Sequence, residues 1–161
     1  MLVALPPLDM PPRADHMGLT VEDMDVMVEF YRDTLGFEVV LRAHSDDEEM
    51  DTEPLRTLVG IDDADLEVAF LDAPGCAVEL VRYDAPPGDS VEGVSNNDVG
   101  AKHFAFEVDD IDEWYDRFEA TENVSTTSPP QDFGFTPRFC ARPRGQRRRT
   151  PRSRMRERGK R

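Results

Sequence analysis

A segment of the chain recurs 87 residues later, and this internal repeat constrains the fold more than any other feature. The segment that begins at His16 reads HMGLTVEDMDVMVEFYRD, and the segment that begins at His103 reads HFAFEVDDIDEWYDRFEA. Each copy has a histidine, a short apolar run ending in valine, an acidic pair and an amphipathic stretch. Chance can match acidic pairs in a chain this acidic, so the histidine, the valine and the hydrophobic period carry the match. The repeat predicts two equivalent modules.

The hydrophobic period predicts a strand followed by a helix in each copy. His16 to Val21 and His103 to Val108 consist of apolar and β-favouring residues, which predicts strands. Asp23 and Asp110 stand where N-caps would begin the helices, and Gly36 stands where the first helix would end. The predicted inner faces are Met27, Phe30, Tyr31 and Leu35 in the first helix, and Ile111, Trp114, Tyr115 and Phe118 in the second.

Three more strands are predicted in the first module. They cover Phe37 to Leu41, Leu66 to Leu71 and Ala77 to Val81, with a turn at Pro74-Gly75 and an acidic loop from His44 to Asp51. The predicted organisation is a first β-α-β-β-β module at 14–84, a linker at 85–100, the start of a second module at 101–137, and an arginine-rich, disordered tail at 138–161.

Two histidines and one carboxylate occupy positions that suit a divalent metal ion. His16 and His103 begin equivalent strands, and Glu79 lies on the fourth strand of the first module. Residues two apart on a strand share a face, so Glu79 shares its face with Ala77 and Val81. A lone carboxylate is costly in such apolar surroundings, and a metal partner would explain it. Two histidines and a carboxylate leave coordination positions open for a substrate.

Other candidate residues have simpler interpretations. His44 stands in the acidic loop and is interpreted as structural or solvent-facing, and the aromatic residues of the second helix are interpreted as core. The arginines of the first module have two possible roles: they could hold an anionic substrate, or they could form ion pairs within the acidic body. These arginines are Arg32, Arg42 and Arg82.

The phrases HMGLTVEDMDVMVEFYRDTLGFEVV, VELVRYDAPPG and HFAFEVDDIDEWYDRF resemble the vicinal-oxygen-chelate superfamily over about residues 14–134. That superfamily includes glyoxalase I, methylmalonyl-CoA epimerase, ring-cleaving dioxygenases, and fosfomycin and bleomycin resistance proteins. The resemblance implies an α+β fold of two paired β-α-β-β-β modules that form a cupped mixed sheet, with the second module truncated here. It implies one divalent metal ion (Ni, Co, Zn, Mn or Fe) held by His16, Glu79 and His103. A fourth ligand, normally a glutamate near the end of the second module, has no match.

The resemblance implies a metal-dependent lyase or isomerase of the glyoxalase type, similar to lactoylglutathione lyase. Such an enzyme acts on an α-hydroxycarbonyl or thiohemiacetal through a metal-bound enediolate, with Glu79 moving the proton. One alternative is a non-catalytic binding protein of the bleomycin-resistance type, which the metal-ligand set disfavours. Another is a ring-cleaving dioxygenase, whose ligands usually come from one module of a larger chain. The expected partners are a small-molecule substrate and a second copy in a homodimer.

The net charge of −15 combines two unlike regions. Residues 1–137 contain 7 Lys+Arg and 33 Asp+Glu, a charge of −26, whereas residues 138–161 contain 12 Lys+Arg and one glutamate, a charge of +11. So acidic a body repels itself in dilute buffer and suits concentrated salt, where the screening length falls to about 3 Å at 1 M. The N-terminal MLVALPPL is too short for a signal peptide or a membrane span, which predicts a cytoplasmic protein with free thiols at Cys76 and Cys140.

The arginine-rich tail has two interpretations. Taken literally it is a disordered basic arm that binds nucleic acid, although molar salt would weaken such binding. The alternative is a frameshift near Ala141. The segment 142–152, RPRGQRRRTPR, can be encoded by bases that read DPEGNVVELLE one nucleotide later. That is the superfamily's usual ending with its ligand glutamate, so we favour the frameshift.

Overall fold

The computed structural model describes residues 13–47, 52–89, 97, 99, 103–134, 138–139 and 141–143. The chain divides into two compact units, Met1–Gly88 and Asp89–Arg161. The disordered tail predicted at 138–161 and the thiol of Cys140 lie mostly outside the described residues, but Ala141–Pro143 within that range form a strand, so the prediction of disorder is wrong there. Cys76 is a free thiol. In the part of the chain that is described, no helix is long and apolar enough to cross a bilayer.

The first unit contains a four-stranded mixed sheet. Its strands are β1 (His16–Thr20), β2 (Glu38–His44), β3 (Asp65–Asp72) and β4 (Ala77–Ala85), and their spatial order is β1-β4-β3-β2. β1 pairs with β4 in parallel, and the other neighbours are antiparallel. The predicted α+β class is confirmed, and each of the four strands predicted for this module is present.

Helix α1 (Met24–Glu29) covers one face of the sheet and continues as a π-helical turn at Phe30–Thr34. Asp23 caps it, because its side chain accepts a hydrogen bond of 3.1 Å from the backbone N–H of Val26. Gly36 follows with a φ of +80°, which a residue with a Cβ rarely adopts. Both predicted ends are confirmed. The helix and the strands behind it supply most of the buried apolar side chains, which are Met24, Met27, Val28, Tyr31, Ala69, Leu71, Val78 and Leu80.

Helix α2 (Thr52–Val59) was not predicted. The strongest signal for it is the recurrence of apolar residues at Leu55, Leu58 and Val59, which is helical spacing. Two of these, Leu55 and Val59, pack against a buried cluster that includes Leu66 on β3. The helix is only eight residues long and follows an acidic loop, so its period is too brief to identify without the sheet on which it packs.

The second unit contains helix α3 (Ile111–Glu119) and the antiparallel strands β5 (Val124–Thr126) and β6 (Ala141–Pro143). Asp110 caps α3, because its side chain accepts hydrogen bonds of 3.0 Å from two backbone N–H groups of the first turn. This cap is also as predicted. The aromatic residues of α3 contact one another and Phe139, which agrees with a packing role.

The strand predicted at His103 to Val108 is wrong, because these residues are described without strand structure. A strand needs a ladder partner, and β1 finds its partner in β4, the last strand of its module. β5 and β6 follow α3 as β2 and β3 follow α1. The counterpart of β4 would therefore fall in residues 144–161, the arginine-rich segment outside the described residues. The apolar run alone could not form the ladder.

Candidate metal centre

The structure brings two of the three predicted ligands together. In the register of β1 and β4, His16 lies opposite Ala77 and Gly18 lies opposite Glu79, so both ligand side chains point from the same face. The Nε2 atom of His16 is 3.3 Å from Oε2 of Glu79. Both side chains are partly exposed, at 37% and 21%, so a small molecule can reach them.

Asp15 fixes the orientation of the His16 ring. The Nδ1 atom of His16 is 2.8 Å from Oδ2 of Asp15, so the neutral tautomer that donates from Nδ1 leaves Nε2 as a lone pair facing Glu79. The hydrogen bond to Asp15 raises the pKa of His16 most. Partial burial opposes this rise, and the charge of Glu79 adds to it. A carboxylate behind a histidine is the usual support of a metal-binding imidazole.

The donor atoms fit a divalent metal ion. Bonds of about 2.1 Å that meet at right or tetrahedral angles hold their donor atoms about 3.0 to 3.4 Å apart. The separation of 3.3 Å between His16 and Glu79 falls in this range. Two lone-pair donors this close repel each other unless a proton or a metal cation neutralises them.

Two neighbours that sequence reasoning missed shape the pair. A Cβ atom at Gly18 would lie 3.3 Å from Oε2 of Glu79, so glycine leaves the space that the carboxylate occupies. Phe70, opposite Glu79 on β3, contacts the His16 ring edge-on with centroids 5.5 Å apart. Strand alternation puts Gly18 on the same face as His16 and could have identified it, but the position of Phe70 required the pairing of β3 with β4.

A cavity of about 330 Å³ lies beside Glu79. Residues of β1, β3, β4 and α2 line it, and most of their side chains are apolar. The undetected helix α2 is thus the element that gives the candidate site an enclosed side.

His103, the third predicted ligand, belongs to the second unit and is exposed. Among the described residues, no group of three or more histidine, cysteine, aspartate and glutamate side chains is arranged to hold a metal ion. Among the described residues, the candidate site therefore consists of the His16–Glu79 pair, supported by Asp15.

The arginines whose role was open form ion pairs. Arg42 and Arg82 both bind Glu67, with N–O distances of 2.6 and 2.9 Å. Glu67 lies opposite Arg82 in the register of β3 and β4, and the adjacent Val68 lies opposite Val81. Val68 and Val81 line the cavity, and successive residues of a strand point to opposite faces, so this cluster lies on the other face of the sheet. Arg32, on the π-helical turn, forms an ion pair with Asp33 at an N–O distance of 2.6 Å.

His44 is part of the same polar cluster. Its Nε2 atom lies 3.0 Å from Asp84, and its Nδ1 atom contacts Asp46. The hydrogen bond to Asp84 is the largest cause that raises the pKa of His44, and partial burial opposes it. Arg82 and then His44 hold the pKa of Asp84 below its ordinary value. This histidine joins the ends of β2 and β4, in agreement with its structural interpretation.

Most of the chain matches the sequence model of a known protein family. The model of the glyoxalase/bleomycin resistance protein/dioxygenase superfamily matches residues 13–150. The chain belongs to this superfamily. The match includes both units and extends into the arginine-rich segment.

Solved structures of the superfamily share the fold. A glyoxalase-family protein from Bacillus cereus is 22% identical with a TM-score of 0.57, over 74% of this chain and 78% of that one. A glyoxalase-family protein from Enterococcus faecalis is 20% identical with a TM-score of 0.52, over 79% and 87%. The fosfomycin resistance protein FosX from Listeria monocytogenes, in complex with Mn(II) and dihydroxypropylphosphonic acid, is 18% identical with a TM-score of 0.52, over 81% and 85%. No curated protein matches the sequence significantly.

Proposed function

We propose that this chain is a divalent-metal-dependent lyase or isomerase of the glyoxalase type, acting on an α-hydroxycarbonyl or thiohemiacetal. The observation that carries the proposal is the His16–Glu79 pair, whose donor atoms lie 3.3 Å apart beside a largely apolar cavity. The superfamily membership supports it, and the structurally similar FosX was solved with both Mn(II) and dihydroxypropylphosphonic acid.

In this proposal His16, Glu79 and His103 hold one ion of Ni, Co, Zn, Mn or Fe. His103 comes from the second unit, either of the same chain or of the other copy in a homodimer. When bound, the metal would act as a Lewis acid toward two neighbouring oxygens of the substrate. Asp15 keeps the Nε2 lone pair of His16 directed at the site.

Glu79 is the base in this proposal. Its carboxylate would accept the proton from the carbon that carries the hydroxyl group and return it to the former carbonyl carbon, while the hydroxyl proton passes to the other of the two neighbouring oxygens, which is general acid–base catalysis. The apolar walls beside it would displace water from the part of the substrate that they contact. The two alternative functions make different demands on this site, because a non-catalytic binding protein needs no base and a ring-cleaving dioxygenase consumes oxygen.

The test compares Glu79→Gln with Glu38→Gln, an equal charge change at an exposed position of β2. We expect Glu79→Gln to weaken cobalt(II) binding by more than about tenfold, because even the loss of a group that only supports a metal ligand costs about that much. We also expect it to slow solvent-deuterium exchange into 2-hydroxyacetophenone about 10²-fold or more, the size of a general-base contribution. Glu38→Gln should change neither quantity. Exchange at an unchanged rate in Glu79→Gln would remove Glu79 as the base.

A second pair of variants tests the third ligand. His103→Ala should weaken cobalt(II) binding, whereas His44→Ala should leave it unchanged, because His44 lies in the polar cluster on the other face. Equal effects of the two variants would contradict the assignment of His103. Oxygen uptake with catechol would favour the dioxygenase alternative.

A further inference from the structure

The cavity beside Glu79 runs along the sheet under helix α2. Glu79 lies at one end, and Val81 and Tyr83 follow at alternating positions of β4, so this wall is about 13 Å long at about 3.3 Å per residue. Leu55 and Val59 of α2 form part of the opposite wall. Among the eleven described residues that line the cavity, Glu79 is the only charged one.

The basic side chains of the first unit do not line the cavity. These five are Arg13, Arg32, Arg42, Arg56 and Arg82. Arg42 and Arg82 bind Glu67 on the opposite face of the sheet. Arg56 lies on α2, but its Nε–H donates to the carbonyl oxygen of Ala64, 3.0 Å away.

An anionic substituent over Val81 and Tyr83 would therefore lose its water without gaining a cation from the described residues that line the cavity, because the proposed metal would lie beside His16, at the other end of this wall. A hydrocarbon group meets the opposite conditions, since it gains contact with Leu55, Val59 and Val81 and leaves water.

We propose that this cavity binds an uncharged hydrocarbon substituent of the substrate, so that the chain selects neutral over anionic α-hydroxycarbonyl compounds. The inference rests on the proposed function for the position of the reacting carbons, next to Glu79. It adds the class of substituent, which lies over Val81 and Tyr83, on the far side of Glu79 from the strand position of His16.

The first measurement compares two probes by calorimetric titration of the metal-free chain in molar KCl. The probes are 2-hydroxyacetophenone and its 4-carboxylate, which differ by one anionic group. We expect the neutral probe to bind about tenfold more tightly, or better, which corresponds to about 1.4 kcal/mol. Equal binding, tighter binding of the carboxylate, or no binding of either probe would overturn the inference.

A pair of lysine variants tests whether this cavity is responsible. Leu58 lines the cavity and its residue is 83% exposed, so Leu58→Lys places a cation at the rim of the cavity without disturbing the core. Thr57→Lys places the same charge on the preceding residue of α2, which is exposed and does not line the cavity. Molar salt screens charges beyond about 3 Å, so only a lysine in contact with the probe should act. Leu58→Lys should reduce the preference for the neutral probe about threefold or more, whereas Thr57→Lys should leave that preference unchanged. Equal effects of the two variants would overturn the inference.

Solvent-deuterium exchange measured on the same samples with metal separates this inference from the proposed function. A preference for the neutral probe without exchange would support the cavity assignment and count against the lyase. Exchange without that preference would support the lyase and overturn the cavity assignment.

Discussion

The three histidines of the chain show how surroundings assign roles to identical side chains. His16 directs Nε2 at Glu79 on the cavity side of the sheet, which suits a metal ligand. His44 lies on the opposite face and contacts Asp84, which suits an ion pair that joins two strand ends. His103 is exposed in the second unit and has its role only by proposal. Strand face and neighbouring carboxylates thus separate His16 from His44, although both have a raised pKa.

The first prediction concerns the pH dependence of stability at His44. Asp84 raises the pKa of His44 above its ordinary value of 6.5, so the folded state binds a proton that the unfolded chain releases. The stabilisation is complete below pH 6.5 and is lost as the pH rises through the raised folded pKa. His44→Asn should therefore destabilise the protein more at pH 6 than at pH 9, measured by urea unfolding in molar KCl. An equal loss at both values would contradict the ion pair; His16 is unchanged in both proteins, so its own titration cancels.

At the scale of elements, the two faces of one sheet have different tasks. Helix α1 covers one face and buries the main apolar core, with the polar cluster of Arg42, Arg82 and Glu67 beyond it. Helix α2 covers part of the other face, where Glu79 lies, and leaves a cavity rather than a filled core. Alternation along β3 and β4 makes this division possible, since successive side chains point to opposite faces.

The second prediction concerns the cap of α1. Asp23→Ala removes the acceptor of the Val26 N–H and should lower the free energy of unfolding by about 1 kcal/mol. Glu22→Ala removes the same charge from the preceding exposed residue and should have a much smaller effect. Urea unfolding of the two variants in molar KCl provides the comparison. Equal losses of unfolding free energy in the two variants would show that the removed charge, and not the cap, causes the destabilisation.

At the scale of the whole molecule, charge is the dominant property. Residues 1–137 carry a charge of −26, with Lys102 their only lysine. The described ion pairs, such as those of Glu67, use few of these carboxylates, so repulsion among the others favours the unfolded chain in dilute buffer. Salt screens this repulsion, and at 1 M the screening length is only about 3 Å.

The third prediction follows from this repulsion. The melting temperature should rise steeply as KCl increases from dilute to molar concentration, because the folded state gains most from screening. Thermal melts at several KCl concentrations measure it, with sucrose at matched viscosity as the control for effects other than screening. Melting temperatures that stay flat across the range would refute the interpretation of a surface adapted to salt.

The fourth prediction concerns the arginine-rich segment. Replacing the residues after Ala141 with the frame that ends in DPEGNVVELLE supplies the counterpart of β4 and the fourth carboxylate. Cobalt(II) affinity and deuterium exchange should both increase relative to the chain as it stands, since a missing ligand is restored and cations that repel the metal are removed. The frameshift interpretation is wrong if both proteins bind metal equally and the re-framed one exchanges no faster.

The sequence by itself determined the elements whose causes are local. Strands β1 to β4 follow from apolar runs and alternation, and the helix caps follow from Asp23, Gly36 and Asp110, whose effects act within one turn. Strand alternation also put Glu79 among apolar neighbours, and the repeat singled out His16. Their proximity across β1 and β4 could be anticipated only through the resemblance to a family with this strand order.

Tertiary structure decided whatever depends on a partner distant in the sequence. His103 to Val108 has the apolar run of a strand but lacks strand structure, because a ladder needs a second strand. Helix α2 has too short a period to be identified without the sheet beneath it, and the cavity beside Glu79 exists only where the two meet. The pairing of Arg42 and Arg82 with Glu67 likewise required the register of three strands, since no sequence spacing specifies which carboxylate a guanidinium will reach.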